Sequence, residues 1–401
     1  MSLDLLKTKG RPIDQQNFTW KDLVQKPISK LNQDAFTRIR VILMNGIEFE
    51  SVMFSHNAAR VNGELRLELA RIRQIEQHQQ TVINWLLPAD QSPVETTVAY
   101  EQVAIEVTAS IAQHEPDPYL AQMYRFGLLE DFDHLYRYSA LLDRLEGKDA
   151  NNILQSYTDI FPGRATMHHH RHHDDNVRRP YSKSSADFIS KLHALTITSG
   201  EQQTFNYYMN IGPLFADPVA RMLYAEIASV EEEHVTQYES LLDPTETLME
   251  KWLLHEANEV YNYWSCVESE TDPRIKAIWE RFLDYELGHL NHVTELFKTV
   301  EGRDPAEILP NKLPKAIAYR SHREFVRDVL AKEVGFRSNG QEVVPPDQES
   351  QKSVDYRMQM NSEGIASEAI AHNFKWIPGG ELVAQTNGRM PMFTDAPEVQ
   401  A

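Results

Sequence analysis

The chain has 401 residues, 41% of them hydrophobic, so it is long enough for two domains with substantial cores. Its 40 Lys and Arg against 59 Asp and Glu give a formal charge of −19, which argues against binding to nucleic acid or to an anionic membrane. The single cysteine, Cys266, excludes an intramolecular disulfide and an all-cysteine metal site. Neither a membrane span nor a secretory signal is visible, so we expect a reducing compartment, most simply the cytoplasm.

In chain order, the sequence predicts an all-α protein, because alternating β-branched runs are nearly absent. Helix starts are indicated by Asp-Pro pairs, which combine an acidic cap with proline in the first turn. The tail is rich in Gly, Pro and Gln and is interpreted as an arm for another subunit or as a disordered segment. The segments are an N-terminal arm (1–34), a first helical repeat (35–147), a His-rich linker (148–185), a second helical repeat (186–305) and the extended C-terminal tail (306–401).

Two helices of the second repeat carry a Glu-x-x-His motif inside an apolar stripe, and two more carry single glutamates. A carboxylate and an imidazole at this spacing lie on one face of a helix, a turn apart. An unpaired buried carboxylate is very costly, so these charges must be compensated. The loop positions predict that four carboxylates and two imidazoles converge at one depth of a four-helix bundle. The predicted site comprises Glu201, Glu231, His234, Glu256, Glu286 and His289.

This donor set is the one that a helical bundle uses to hold two transition metals, and oxygen and imidazole donors suit iron or manganese. The segment 186–302 therefore resembles the ferritin-like superfamily of di-metal carboxylate proteins, which includes rubrerythrins, bacterioferritins and manganese catalases. The resemblance implies two Fe or two Mn ions and an oxidoreductase that reacts with dioxygen or peroxide. The alternatives are a metal-binding or storage-like module without turnover, and a metal-free helical scaffold.

Two features depart from that family. Ferritin-like bundles usually join their second and third helices by a long crossover along the bundle. Here only a few residues around 243–245 intervene, which span about 10 Å, whereas a helix of this length runs about 39 Å. The loop therefore permits a plain up-down-up-down bundle or a pairing of hairpins between the repeats. Cys266 stands alone, so the rubredoxin-type iron site of a rubrerythrin is missing and electrons would come from an external donor.

The first repeat echoes the second with a changed site. Its Glu-x-x-Gln at residues 76–79 matches the first Glu-x-x-His, and its Asp-x-x-His at residues 131–134 matches the second. Gln79 is a poor metal ligand, so the repeat holds either a second working site or a decayed one. Glu130 competes with Asp131 for the inward position. The candidate ligands of this repeat are Glu48, Glu76, Glu101, Asp131 and His134.

Three further features have two interpretations each. Tyr238, one turn after a predicted ligand, is either a redox tyrosine or a core residue. Glu259 is either an additional ligand or an exposed helix charge. The run His168–His173 either binds metal or is a solvated loop. The long polar tail suggests a homo-oligomer, a dimer or larger.

Overall fold

The computed structural model describes residues 3–377 and is mostly helical, which confirms the predicted all-α class. None of the helices in this range is long and apolar enough to cross a membrane. The helices are α1 (Trp20–Leu23), α2 (Ala35–Val61), α3 (Arg66–Asn84), α4 (Pro93–His114), α5 (Pro118–Glu146), α6 (Asn151–Leu154), α7 (Phe188–Ile211), α8 (Pro218–Glu239), α9 (Leu248–Ser269), α10 (Pro273–Glu301), α11 (Arg323–Glu333), α12 (Gln351–Met360) and α13 (Ala366–Ala371). A two-stranded antiparallel hairpin is formed by β1 (Arg337–Asn339) and β2 (Glu342–Val344).

The starts of the long helices follow from side-chain caps. Asp117, Asp217 and Asp272 each accept hydrogen bonds from backbone amides of the first turn, and each is followed by proline at the first helical position. Ser92 and Thr247 form reciprocal capping boxes with the glutamate three residues later. These caps satisfy amides that have no partner inside the helix, so the helices begin at these residues.

The eight long helices pair as four hairpins, α2 with α3, α4 with α5, α7 with α8, and α9 with α10. The inner helices contact one another, since α2 packs on α4, α7 and α9, and α7 packs on α4 and α9. Contacts between the outer helices show which hairpins belong to the same bundle. Helix α5 packs on α8, and His292 of α10 is hydrogen-bonded to Glu68 of α3 at 2.8 Å. Bundle 1 therefore comprises α2, α3, α9 and α10, and bundle 2 comprises α4, α5, α7 and α8.

Each bundle takes one hairpin from each sequence repeat, so the segments 35–147 and 186–305 do not form one bundle each. The loops 85–92 and 240–247 have eight residues, which span at most about 28 Å. The helices that follow them have 22 residues and run about 33 Å. These loops are therefore too short for a long crossover along a bundle, and of the two arrangements that they permit the structure has the pairing of hairpins between repeats.

The N-terminal arm lies along α10 of bundle 1. Arg11 donates its backbone N–H to the carbonyl oxygen of Asp284 at 2.8 Å. Gly10 and Gly288 let the two backbones approach closely, because a Cβ added to Gly288 would stand 1.9 Å from the carbonyl oxygen of Arg11. The arm is therefore held against the helix by its backbone, and glycine is required at the contact.

The linker contacts α5 of bundle 2 in the same way. Arg164 donates its backbone N–H to the carbonyl oxygen of Leu129 at 3.0 Å, and a Cβ on Gly163 would meet that oxygen at 2.4 Å. The pair at 163–164 follows the Gly-Arg pair at 10–11 by 153 positions, the separation of Glu48 and Glu201. The arm and the linker thus occupy corresponding positions on the two bundles.

The C-terminal segment packs on its own chain. Arg178 of the linker donates to Ser338 Oγ at 2.8 Å and to the carbonyl oxygen of Gly340 at 3.1 Å. Ser367 donates from its backbone N–H and its hydroxyl to Glu226 of α8, and α13 packs on α5 and α8. The segment from 338 to 367 therefore packs on bundle 2, whereas Lys315 and Ile317 contact α9 of bundle 1. The predicted tail beyond 377 lies outside the described residues.

We predict that Gly288→Ala destabilises the protein by about 1–3 kcal/mol, because the added methyl group collides with the backbone of the arm. Gly200→Ala inside α7 is the matched control. Its Cβ meets nothing within 4 Å, so we expect a gain of about 0.5–1 kcal/mol. Denaturant unfolding measures both changes. Equal stability of the two variants would contradict the close contact of the arm with α10.

Candidate metal centres

Buried acidic and histidine side chains gather in two clusters, one in each bundle. All are at most 2% exposed, so their charges have to be compensated inside the protein. The two-histidine cluster of bundle 2 comprises Glu101, Asp131, His134, Glu201, Glu231 and His234. The one-histidine cluster of bundle 1 comprises Glu48, Glu76, Gln79, Glu256, Glu259, Glu286 and His289.

The structure corrects the expected grouping of the six residues predicted to form one site. Three of them, Glu201, Glu231 and His234, join the first repeat's Glu101, Asp131 and His134. The other three, Glu256, Glu286 and His289, join the first repeat's Glu48 and Glu76. The exchange of hairpins is the physical reason, because the helices of one repeat are divided between two bundles. The positions of these residues relative to the loops define their depth in a bundle but not the bundle to which each belongs.

Two sets of four potential ligand atoms overlap in the two-histidine cluster. Within each set all atoms lie within 4.8 Å of one another. Both sets contain Asp131 and Glu231, and each adds one glutamate and one histidine, Glu101 with His134 or Glu201 with His234. Two carboxylates therefore stand between two positions that have the same kinds of donor.

The carboxylates of this cluster lack partners of opposite charge other than histidine. Both oxygens of Asp131 and one oxygen each of Glu101, Glu201 and Glu231 accept no hydrogen bond. In residues 3–377 no Lys or Arg forms an ion pair with them. Burial, together with the neighbouring charge of Glu231, raises the pKa of Glu101 well above its usual value. The arrangement therefore favours a bound cation.

The tautomer of His134 follows from its outer neighbour, His169. The Nε2 atom of His169 lies 2.5 Å from the carbonyl oxygen of Arg164, which can only accept, so Nε2 carries the hydrogen. Burial lowers the pKa of His169 well below its usual value, which keeps the ring neutral and makes its Nδ1 an acceptor. His134 therefore donates from Nε2 to His169 Nδ1 at 3.1 Å. Its Nδ1 lone pair faces Glu231 Oε1 at 3.0 Å, an arrangement that a cation would satisfy.

His234 is oriented in the same way by Glu130. Its Nε2 donates to Glu130 Oε2 at 2.8 Å. Although burial opposes ionisation, Arg171 keeps the pKa of Glu130 well below its usual value, so Glu130 is a carboxylate acceptor. His234 Nδ1 faces Asp131 at 3.2 Å and Glu201 at 3.6 Å. Asp131 thus takes the inward position and Glu130 the outer one, which decides the alternative that the sequence left open.

The histidine of bundle 1 is held by the N-terminal arm. Gln16 donates from Nε2 to the carbonyl oxygens of Arg11 at 2.7 Å and Tyr285 at 3.0 Å. Its Oε1 therefore accepts from His289 Nε2 at 2.7 Å. His289 Nδ1 is left facing Glu286 at 3.0 Å. All three cluster histidines thus present Nδ1 to carboxylates and donate from Nε2 to an outer acceptor.

Sequence reasoning did not find these outer acceptors. His169 belongs to the run His168–His173, which was interpreted as a metal-binding or solvated loop, yet His169 and His170 are buried whereas His173 is exposed. For Gln16 and His169 the signal was a Gly-Arg pair, at 10–11 and 163–164, whose arginine lies five residues before the acceptor. Aligning the pairs also aligns Gln16 with His169.

Tyr238 and Glu259 are both buried. The ring of Tyr238 lies 6.2 Å from that of His234, and its hydroxyl has no hydrogen-bond partner. It packs against Gly127, where an added Cβ would meet the hydroxyl at 2.0 Å. Glu259 belongs to the one-histidine cluster, so the interpretation as an exposed helix charge is wrong.

A small cavity of about 20 Å³ adjoins the two-histidine cluster at Glu201. It has room for one molecule of about the size of water. The small side chains of Ala104 and Thr108 and the glycine at 200 leave this space open. Its remaining lining is mainly aliphatic, from Leu43, Val103, Val107 and Ile197.

Comparison of the chain with models of protein families, with curated proteins and with solved structures finds no match. The chemistry of the two clusters is therefore argued from their own geometry.

We predict that Glu130→Ala destabilises the protein by about 3–5 kcal/mol, because Arg164 and Arg171 lose a shared partner in the interior. Glu68→Ala is the control, since its partner His292 is more exposed and such pairs contribute about 0–1 kcal/mol. Denaturant unfolding of chelator-treated protein measures both. Equal losses in the two variants would show that Glu130 does not compensate the buried arginines.

Proposed function

We propose that bundle 2 holds a di-metal carboxylate centre of the ferritin-like type and that the protein is a non-haem oxidoreductase. Its metals would be two Fe or two Mn ions, and its substrate a small oxidant, dioxygen or peroxide. The observation that carries this proposal is the pair Asp131 and Glu231, shared by two positions that each have one further glutamate and one histidine. This is the ligand pattern of di-metal sites in helical bundles.

The charges of the cluster fit two divalent cations. Its four carboxylates would balance two such ions, and the imidazoles of His134 and His234 would complete one position each. Their Nδ1 atoms face carboxylate oxygens at 3.0 and 3.2 Å, distances typical of neighbouring ligands around one metal. The absence of thiolate from this donor set favours iron or manganese over zinc or copper.

The bound metals would supply two-electron redox chemistry. The protein itself contributes orientation and selection of the substrate. His169 and Glu130 hold the two imidazoles in the tautomer that leaves Nδ1 free. The cavity beside Glu201 admits only a very small molecule, which supports an oxidant such as dioxygen or peroxide. Electrons would reach the centre from an external donor.

We expect elemental analysis to find about two iron or manganese ions per chain in bundle 2, and these should be lost in His134→Ala/His234→Ala. The matched control is His292→Ala, which removes a histidine that pairs with Glu68 outside both clusters and should leave the metal content unchanged. The protein should be purified without metal affinity. Equal metal content in wild type and the double variant would refute the centre. If metal is bound but the absorbance of the centre does not change when oxidant is added, a binding or storage module would be favoured over an enzyme.

The outer histidine gives a second test. We predict that His169→Ala weakens metal binding by bundle 2 about 10–100-fold, because His134 loses the acceptor that fixes its tautomer. His169→Gln should retain more affinity, since Gln16 does the same for His289. Competition with a chelator measures the ratio. Unchanged affinity in the alanine variant would show that His169 has no positioning role.

A further inference from the structure

We infer that bundle 1 is a separate metal site that binds a single divalent ion. Its ligands are Glu76, Glu256, Glu259 and His289, whose potential donor atoms all lie within 4.8 Å of one another. Whereas bundle 2 has two overlapping sets of this kind, the one-histidine cluster has one. This inference does not depend on the metal content of bundle 2.

The oxygens in this set lack other partners. Both carboxylate oxygens of Glu76 and of Glu259, and one of Glu256, accept no hydrogen bond although they are fully buried. In the described part of the chain no Lys or Arg forms an ion pair with these side chains. Trp252 donates from Nε1 to the other oxygen of Glu256 at 2.7 Å, which orients that carboxylate. Three carboxylates with free oxygens and one oriented imidazole form a ligand set for a cation.

In bundle 1, Gln79 takes the place of a histidine that would bind the second ion. It stands at the position that His234 has in bundle 2, and its Nε2 donates to Glu48 Oε1 at 3.1 Å and to Glu286 Oε1 at 2.6 Å. The amide group thus joins two carboxylates that in bundle 2 correspond to Glu201 and Asp131. The two amide hydrogens thus take up one oxygen of each carboxylate, at the position where bundle 2 has the imidazole of its second ligand set.

The outer partner of this position has changed as well. Glu130, which orients His234, corresponds to Tyr285 of α10, at the 155-residue separation that relates Glu101 to Glu256. The contact of Tyr285 with the side chain that orients His289 is made by its backbone carbonyl oxygen, which accepts a hydrogen bond from Gln16. The ligand and its positioning carboxylate are therefore both missing from bundle 1, and a single ion is the consistent result.

Glu259 closes the space that is open in bundle 2. Its counterpart at the same separation is Ala104, which lines the small cavity beside Glu201. Similarly, Thr108 of the cavity corresponds to Tyr263, whose hydroxyl donates to Glu48. A carboxylate and a phenol thus fill bundle 1 where bundle 2 has room for a small molecule. The ion in bundle 1 is therefore held by protein ligands, and this site stabilises rather than reacts.

The test uses Mn²⁺ as the probe in full-length protein that carries His134→Ala/His234→Ala. After chelation and reloading, we expect about one Mn²⁺ per chain, with the hyperfine-split EPR signal of an isolated ion. Adding Glu259→Ala should remove this ion, because it takes away one of the three carboxylate ligands. The matched control, Glu106→Gln, changes another buried glutamate that hydrogen-bonds Thr158 outside both clusters and should retain the ion.

Three results would overturn the inference, given variants that unfold cooperatively. These are no bound Mn²⁺, an exchange-coupled pair of ions, and retention of the ion after Glu259→Ala. If the double-histidine background does not fold, Glu259→Ala and the isosteric Glu259→Gln in the otherwise unchanged chain should each lose about one equivalent of Mn²⁺. A loss confined to the Glu259 variants, with none in His134→Ala/His234→Ala, would refute the centre in bundle 2 and leave the single-ion site intact.

Discussion

The length of two loops limits the architecture of this protein. The segments 85–92 and 240–247 are too short to run along a helix bundle, which excludes a long crossover between the two hairpins of a repeat. Each hairpin instead packs against one from the other half of the chain. Both clusters, and the arm or linker that lies on each bundle, are therefore assembled from distant parts of the sequence.

The buried charges impose the second constraint. Nine carboxylates lie in the two clusters, and within residues 3–377 the imidazoles that face them are His134, His234 and His289. The outer acceptors hold the Nε2 side of these rings, so each ring turns its Nδ1 towards the carboxylates. Such an interior is costly for the folded chain unless cations enter it. Metal binding and stability would consequently be linked, as in other proteins whose ligands are brought together only by folding.

The sequence predicted what depends on local chemistry. Asp117 and Asp272 mark helix starts through their caps. The Glu-x-x-His spacing correctly predicted which side chains of α8 and α10 face the interior of a bundle. The partners of those side chains depend on which hairpins pack together, and periodicity within a helix carries no information about that. Likewise, Gln16 reaches His289 only because two glycines allow the arm to contact α10. A Gly-Arg pair is too short a motif to predict this contact from the sequence alone.

The exchange of hairpins also bears on symmetry. In the same arrangement, a chain of half this length, with one arm and two hairpins, would complete each bundle with a second copy of itself, and its two clusters would then be identical. Joining the halves in one polypeptide removes that requirement, because each position is now encoded twice. Residue 79 corresponds to 234, and residue 104 to 259. Within each pair, one residue can change while the other stays the same. One polypeptide can therefore specialise the two halves of a pseudosymmetric pair separately, which a homodimer of the same architecture cannot do.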